Sequence, residues 1–298
     1  MKKTTLILLI FFGISVVIAA VSWFVRPTKK QKGAYPEITM ESNVIEISVN
    51  ADDSAILEGI IANDAEDGDL TGKLIIEGMS RFISKGKRSA TIAVVDSDGN
   101  ITEARRTVIY TDYESPRFSL NAPLIFPVGT SKLDGSIRAT DSIDGNITGK
   151  IRLKTDASDF GDREGSYSVT FTCSNSLGDS SSILVTITFD NKVTDNSYPK
   201  IKLSDYLVYV KQGTPVYPWN FVQSMTADKQ TFERTIEDER AILRTSGDHA
   251  DIEEEDFEIQ SGGLNTDVPG IYEVNYYYTD SANRTGTTCL IVVVEGED

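Results

Sequence analysis

One stretch of sequence occurs twice in this chain, as ANDAEDGDLTGK at residues 62–73 and as ATDSIDGNITGK at residues 139–150. The copies share the pattern A-x-D-x-x-D-G-[DN]-[LI]-T-G-K and lie 77 residues apart. Three similar openings begin at Pro36, Pro116 and Pro199, spaced by 80 and 83 residues. Similarity at a fixed period is the signature of an array of like units, so the sequence predicts a threefold repeat.

Within each unit, apolar and polar residues alternate. The odd-numbered side chains of residues 167–173 are apolar, and residues 182–189 are rich in β-branched side chains. A period of two is typical of strands, and Asp-Gly pairs such as Asp67-Gly68 mark turns between them. Short strands with frequent turns therefore predict an all-β fold of tandem β-sandwiches.

The repeat positions predict four segments. These are an N-terminal membrane anchor at 1–32, repeat 1 at 33–113, repeat 2 at 114–193 and a divergent repeat 3 at 194–298. The connectors at 111–115 and 191–198 are short, which predicts a semi-rigid rod. Repeat 3 lacks the Asp-rich motif and has extra length between Phe221 and Phe257; the mixed charges of residues 231–244 predict one short helix there.

Residues 6–25, LILLIFFGISVVIAAVSWFV, carry no charge. Twenty residues in a helix span about 30 Å, the thickness of the bilayer core, so this stretch predicts a single transmembrane helix. A cleaved signal peptide is the alternative, with Ala19 or Ala20 at the cleavage site, although apolar cores of signal peptides are shorter, at about 7–15 residues. Basic residues flank both ends, so the nature of the body must decide the orientation.

The charge distribution excludes several classes of function. The net charge is −16, and residues 1–32 hold +6, so the rest carries −22. Such a body repels phosphate backbones, which argues against a nucleic-acid partner. His249 is the sole histidine, which excludes a multi-histidine metal site. Cys173 and Cys289 fall in different repeats, and we expect Cys173 to be a buried thiol.

The end of each repeat adds a second shared pattern, seen in repeat 3 as VPGIYEV at 268–274 and DSAN at 280–283. Together with the Asp-rich motif, it resembles the bacterial immunoglobulin-like repeat family, of the type also found in pesticidal crystal toxins, and is similar to hyalin repeats. The resemblance covers residues 36–294. It implies immunoglobulin-like sandwiches on exported, surface-attached bacterial proteins, with no catalytic residues. It thereby favours a cell-membrane protein whose body is extracellular.

The Asp-rich motif supplies oxygen ligands of the kind that calcium prefers. The candidate ligands are Asp64, Asp67, Asp69, Asp141 and Asp144. The helix–loop–helix calcium pattern fails, because its twelfth position is Gly78 in one copy and Thr155 in the other, where a glutamate is needed. The favoured interpretation is that these aspartates cap turns. We therefore expect no metal site and no cofactor.

Repeat 3 carries the residues that we predict to contact a partner. They are Trp219, Tyr217, Asp248, Asp251, Glu253, Glu254 and Glu255. The aromatic side chains would pack against the partner, and the acidic side chains would favour a basic one. The alternative is that Trp219 belongs to the core and the acidic tract is a solvated loop.

Together these features predict a membrane-anchored bacterial surface protein with three immunoglobulin-like domains. Its predicted work is non-enzymatic: a stalk, an adhesion module or a protein-binding module, with an unidentified surface protein or glycan as its partner. The alternative is a cell-wall or carbohydrate-binding accessory protein. A polymer hydrolase using paired carboxylates is the third class; it is disfavoured because the candidate acids recur in repeated turn motifs.

Overall fold

A computed structural model describes residues 33–130, 133, 135–246 and 250–296. Within these residues the chain forms strands and short 3-10 turns and no α-helix, which confirms the all-β prediction. No helix in this described part is long and apolar enough to cross a membrane. The predicted anchor, at residues 1–32, lies outside the described residues, as do Asp248 and His249.

The strands follow the chain in three groups. The first group is β1 (Glu37–Met40), β2 (Val44–Ile47), β3 (Ile60–Asp64), β4 (Gly68–Asp69), β5 (Ile75–Met79), β6 (Lys87–Val95) and β7 (Ile101–Tyr110). The second is β8 (Arg117–Leu120), β9 (Ile125–Phe126), β10 (Ile137–Asp141), β11 (Gly145–Asn146), β12 (Arg152–Lys154), β13 (Gly165–Ser174) and β14 (Ser180–Phe189).

The third group is β15 (Lys200–Leu203), β16 (Leu207–Lys211), β17 (Val222–Ala227), β18 (Gln230–Glu237), β19 (Arg240–Arg244), β20 (Phe257–Gln260), β21 (Gly270–Thr279) and β22 (Thr285–Glu295). The 3-10 turns are Asp53–Leu57, Thr71–Lys73, Thr148–Lys150, Asn191–Thr194, Pro218–Phe221 and Glu254–Asp256.

Each group of strands forms two sheets. Their strand orders are β1-β3-β4 and β2-β7-β6-β5, then β11-β10-β8 and β12-β13-β14-β9, then β15-β17-β18-β19 and β16-β22-β21-β20. The last strand of each group pairs parallel with the group's early edge strand, and the other neighbours pair antiparallel. The parallel pairs are β9 with β14, β16 with β22, and β2 with β7, in which the N–H groups of Thr107 and Thr111 donate to the carbonyls of Asn43 and Ile47. The predicted glycine turns are present: Gly68, Gly99 and Gly145 all have positive φ, which costs glycine no steric strain.

The described residues fall into two compact units. The first contains the described residues up to Ile45 with Asp52–Met79 and Ala90–Thr107; the second contains Glu46–Ala51, Ser80–Ser89 and the described residues from Val108 onward. In the first unit, β3 and β6 bury apolar side chains against each other; these are Ile60, Ala62, Ile92 and Val94, each at most 3% exposed. Burial between two sheet faces is the core of a β-sandwich.

In the second unit, the alternation predicted for residues 167–173 is confirmed. Val169, Phe171 and Cys173 of β13 point inward and are at most 2% exposed, so the predicted burial of the Cys173 thiol is correct. These side chains form a core with the second group's other sheet. The third group builds its own core in the same way; it includes Leu203, Met225, Val274 and Leu290.

Repeats 2 and 3 pack against each other within the second unit. The backbone N–H of Phe118, in β8, donates to the Tyr209 hydroxyl at 3.0 Å. The N–H of Thr186, in β14, donates to Glu273 Oε1, in β21, at 2.6 Å. Buried apolar residues of both repeats form one continuous cluster. Apolar contacts as well as the short connector therefore join these two repeats, and the semi-rigid rod stays a prediction.

The extra length of repeat 3 forms β17, β18 and β19, a meander of antiparallel strands. The helix predicted at 231–244 is therefore wrong. Both connecting turns consist of two residues with positive φ, Asp228-Lys229 and Asp238-Glu239. Two-residue turns of this geometry match the twist of a hairpin, but their two positions are usually occupied by glycine or asparagine. The turns therefore lacked the usual sequence signal.

Candidate functional site

The two aromatic residues predicted to bind a partner differ in their exposure to solvent. Tyr217 is 65% exposed, whereas Trp219 is 7% exposed. The Trp219 indole N–H donates to the carbonyl of Ala241 at 2.9 Å, and its ring packs edge-on against Phe257. The core alternative for Trp219 therefore fits its position, and only Tyr217 is open to a partner.

Trp219 instead holds the 3-10 turn Pro218–Phe221 against the β18–β19 hairpin. The Arg234 guanidinium lies 5.8 Å from the centre of the Trp219 ring and donates to the Trp219 carbonyl at 2.8 Å. Arg234 also donates to the Val222 carbonyl at 3.0 Å. Burial lowers the pKa of Arg234, and the carboxylate of Glu254 opposes that shift. The turn that follows Tyr217 is thus fixed by hydrogen bonds and ring packing.

The side of β18 that carries Arg234 is buried at one end of the strand and exposed at the other. Phe232 is buried, Arg234 is half-buried and Ile236 is 65% exposed. Residues two apart share a side of a strand, so Ile236 continues the core-facing row beyond the end of the core. Its cross-strand partner is Ala241, whose carbonyl accepts the Trp219 bond. Arg234 and Ile236 therefore share one side of β18, and Tyr217 directly precedes the turn to which Arg234 donates. These three residues are here called the hairpin face.

The acidic residues near the hairpin face are largely structural. Asp251 accepts two hydrogen bonds from Arg244, at 2.8 and 2.6 Å, and Arg244 also pairs with Glu237. The hydrogen bond from Arg244 holds the pKa of Asp251 below its usual value. Asp248 lies outside the described residues. Asp251 therefore clamps β19 to the following segment, in which Ile252 pairs with Leu243.

The glutamates of the predicted rim start a 3-10 turn. The Glu253 side chain accepts from the backbone of Asp256, and the Asp256 side chain accepts from the Glu253 N–H at 2.8 Å. This reciprocal arrangement is a capping box. Glu254 and Glu255 are exposed. Among the described residues of the predicted rim, these two are the charges most available to a partner.

In the first unit, the candidate calcium ligands bind backbone and hydroxyl groups of neighbouring turns. Asp64 Oδ1 accepts from the Asp67 N–H at 2.9 Å, and Asp69 Oδ1 accepts from the Thr71 N–H at 2.9 Å. Asp67 accepts from both the N–H and the hydroxyl of Ser97, at 2.6 and 2.8 Å. The motif thus ties the turn after β3 to the turn after β6.

The second copy repeats this arrangement. Asp141 Oδ1 accepts from the Asp144 N–H at 2.9 Å, and Asp144 accepts from the N–H and hydroxyl of Ser176 at 2.7 and 2.6 Å. Burial acts to raise the pKa of Asp144, but hydrogen bonds from Lys150 and Ser176 outweigh it and the pKa is lowered. Across the described residues, no group of three His, Cys, Asp or Glu side chains is arranged to hold a metal ion.

The copies differ at one buried contact. In the second unit, Asn175 Nδ2 donates to Asp141 Oδ2 at 3.0 Å. The equivalent of Asn175 in the first unit is Asp96, a carboxylate, and Asp64 Oδ2 is buried with no hydrogen-bond partner among the described residues. Asp96 instead accepts from the backbone and side-chain N–H groups of Asn100. The Asp64 carboxylate of the first copy therefore lacks an amide donor like the one that Asn175 supplies to Asp141 in the second copy.

Sequence comparisons give no relative: no known family matches the chain, and no curated protein matches it. Solved structures with partial likeness include the M60 catalytic domain with the CBM51-1 and CBM51-2 domains of Clostridium perfringens ZmpB, at 12% identity and a TM-score of 0.23, covering 88% of this chain and 31% of that one.

The structure of CBM51-2 in complex with GlcNAc and INT domains, from the same C. perfringens protein, has 11% identity and a TM-score of 0.22 over 87% of this chain and 100% of that one. Human CDH23 EC21-23 has 12% identity and a TM-score of 0.20 over 87% and 100%. Likeness at these scores carries no argument, so the fold assignment rests on the strands and sheets described above.

Proposed function

We propose that this chain is a membrane-anchored bacterial surface protein whose immunoglobulin-like repeats form a non-enzymatic binding module. Residues 6–25 are long and apolar enough for the anchor. The shared repeat motifs resemble a bacterial immunoglobulin-like family found on exported proteins. The all-β sandwiches are compatible with that family. In this proposal the protein is single-pass, with its body outside the cell.

The observation that carries the binding role is the exposure of Tyr217 and Ile236 on a rigid support. Both side chains are 65% exposed, although isoleucine is among the most often buried residues. The hairpin that carries Ile236 is an insertion of repeat 3, and the core residue Trp219 anchors the turn next to Tyr217. Aromatic and aliphatic side chains held in place on a surface are the usual anchors of protein interfaces.

The partner that best fits the hairpin face is a protein with an apolar anchor and basic residues around it. Glu254 and Glu255 are exposed on the same insertion, and the exposed Asp238-Glu239 turn directly follows β18, the strand that carries Ile236. Charges at the edge of an interface act mainly on the association rate and weaken with salt. Binding should therefore be faster at low ionic strength.

Location is tested by adding protease to intact cells that express the chain. The proposal predicts that the body is digested while a cytoplasmic marker stays whole. Protection of the body until the cells are lysed would contradict it.

A carbohydrate-binding accessory role remains the alternative, and a polymer hydrolase the third class. A purified body spanning residues 33–298 can be passed over a glycan array and, in parallel, over immobilised surface proteins. Binding to a protein that is lost in Tyr217→Ala supports the proposal. Binding to glycans alone would favour the alternative, and release of products from a polymer would favour the hydrolase.

A further inference from the structure

The strand β21 presents three polar side chains in a row on its outer face. Val274 and Tyr276 point into the core and are fully buried. Glu273, Asn275 and Tyr277 alternate with them and therefore point the other way, toward repeat 2. The row faces the outer side of β14, where Glu273 accepts the Thr186 N–H.

The equivalent strand of repeat 2 lacks this row. Both strands begin with a glycine followed two residues later by a tyrosine, at Gly165 in β13 and Gly270 in β21. Counting from there, the positions of Glu273, Asn275 and Tyr277 correspond to Ser168, Thr170 and Thr172. Repeat 2 thus carries three small hydroxyl side chains where repeat 3 carries a carboxylate, an amide and a phenol. The sandwich itself does not require the larger polar groups.

The row lines a cleft of about 320 Å³ between repeats 2 and 3 in the second unit. Its polar lining comes from Ser166, Thr186, Thr188, Asp190, Glu273, Asn275, Tyr277, Thr287 and Thr288, and its apolar lining from Leu120, Leu124, Ile125, Cys289 and Ile291. The volume lies at the lower end of the range for small-molecule sites, about 300–1,000 Å³. Among the residues that the structure describes, no lysine or arginine lines the cleft.

Several polar groups in this cleft have hydrogen-bonding capacity left. Glu273 uses Oε1 for Thr186, and Asp190 uses Oδ1 for the Lys192 N–H, which leaves one carboxylate oxygen of each. The side chains of Asn275 and Tyr277 make no hydrogen bond to any described residue. Carboxylates only accept, whereas an amide and a phenol both donate and accept.

We propose that this cleft binds one or two rings of a neutral sugar. Sugar hydroxyls can donate to the carboxylates of Glu273 and Asp190, and such charge-assisted bonds are strong. The amide of Asn275 and the phenol of Tyr277 bind the remaining hydroxyls. The ring of Tyr277 and the apolar floor at Leu124 cover the C–H surface of the sugar. An anionic ligand is disfavoured because the lining offers two carboxylates and no cation.

The site is separate from the hairpin face, so the two proposals can fail independently. The probes are glucose, galactose, mannose, N-acetylglucosamine and their β-linked disaccharides, with glucuronate and spermidine as charged probes. Each is titrated into residues 33–298 and followed by protein NMR or calorimetry. The test variant is the double substitution Asn275→Thr and Tyr277→Thr, which installs the residues of repeat 2. Tyr217→Ala is the matched control.

We expect at least one neutral probe to bind with a Kd of about 1 mM or tighter. The double variant should melt cooperatively near the wild-type temperature and bind that probe at least about tenfold more weakly, and Tyr217→Ala should bind it unchanged. Three results would overturn the proposal: no neutral probe binds, the double variant binds as well as the wild type, or spermidine alone binds, which would mark an amine site.

Discussion

Arg117 and Glu295 are 178 residues apart in sequence and form a two-pronged ion pair, in which Nη2 of Arg117 lies 3.0 Å from Oε1 and 2.8 Å from Oε2 of Glu295. Arg117 is the first residue of β8 and Glu295 the last of β22. The guanidinium also lies 5.0 Å from the centre of the Tyr209 ring. The contact joins the beginning of repeat 2 to the end of repeat 3.

Replacing Glu295 with Gln should loosen this junction. Both side chains are more than a third exposed, so solvent screens the pair and we expect a loss of only about 0.5–1 kcal/mol in the free energy of unfolding. Urea denaturation measures it. Asp159→Asn, which removes an exposed pair with Arg163 within one loop, is the control and should cost less. An unchanged midpoint for Glu295→Gln would show that apolar contacts alone hold the two repeats together.

Asp96→Asn should stabilise the first unit. The new amide restores the donor that Asn175 supplies in the second unit, and Asp64 Oδ2 gains a partner. Because Asn100 Nδ2 loses its acceptor at Asp96 Oδ2, the Asn100 amide must turn so that its Oδ1, which has no partner among the described residues, accepts from the new amide. Satisfying a buried acceptor is worth about 1 kcal/mol. Thermal melting measures the gain, and Asn175→Asp, the opposite exchange, should destabilise the second unit. Stabilisation by both substitutions, or by neither, would refute the equivalence of the two sites.

Melting of the body should change little when a chelator replaces calcium. The oxygens of Asp67 and Asp144 already accept bonds from Ser97 and Ser176, so neither Asp-rich turn needs an ion. A ligand that binds only the folded state raises its melting temperature. A clear drop in melting temperature on adding chelator would therefore overturn the turn-capping interpretation.

Both thiols should be inert in the folded chain, Cys173 because it is buried in the core and Cys289, which is half-buried at the cleft, because its pKa is raised. Burial raises the pKa of Cys289 to about 12, and burial also raises the pKa of Cys173. At pH 8 a thiol with that pKa is ionised to about one part in ten thousand, and the thiolate is the reactive form. A maleimide should label neither cysteine until urea is added. Ser182→Cys, at an exposed position, is the control; fast labelling of Cys289 would contradict its raised pKa.

The sequence predicted the regular parts of the fold. Period-two alternation identified the strand that buries Phe171, and the Asp-Gly pair at Asp67-Gly68 identified a turn. Both features are local, since they depend on backbone geometry and on one buried face. The buried position of Cys173 followed for the same reason.

The remaining features depend on contacts between distant residues. The burial of Trp219 depends on Arg234 and Ala241, which lie 15 and 22 residues further along the chain and contact it only in the folded structure. The hairpin was missed because its turns, such as Asp238-Glu239, contain no glycine. The row at Glu273 looked like ordinary alternation, and only the packing of repeat 2 against it reveals a cleft. The sequence does hold one signal for this row: the aligned positions of repeat 2 carry only serine and threonine.

The most direct test of the proposed function is binding of the body, residues 33–298, to the protein partner found on intact cells or among immobilised surface proteins. The test variant is Tyr217→Ala with Ile236→Asp, and the control is Ile61→Asp, which changes a similarly exposed isoleucine of β3. Both should keep the wild-type melting temperature within a few degrees, because exposed side chains contribute about 0.5 kcal/mol or less. We expect the hairpin-face variant to bind at least about tenfold more weakly and the control to bind as the wild type does. Equal binding by all three proteins would contradict the account.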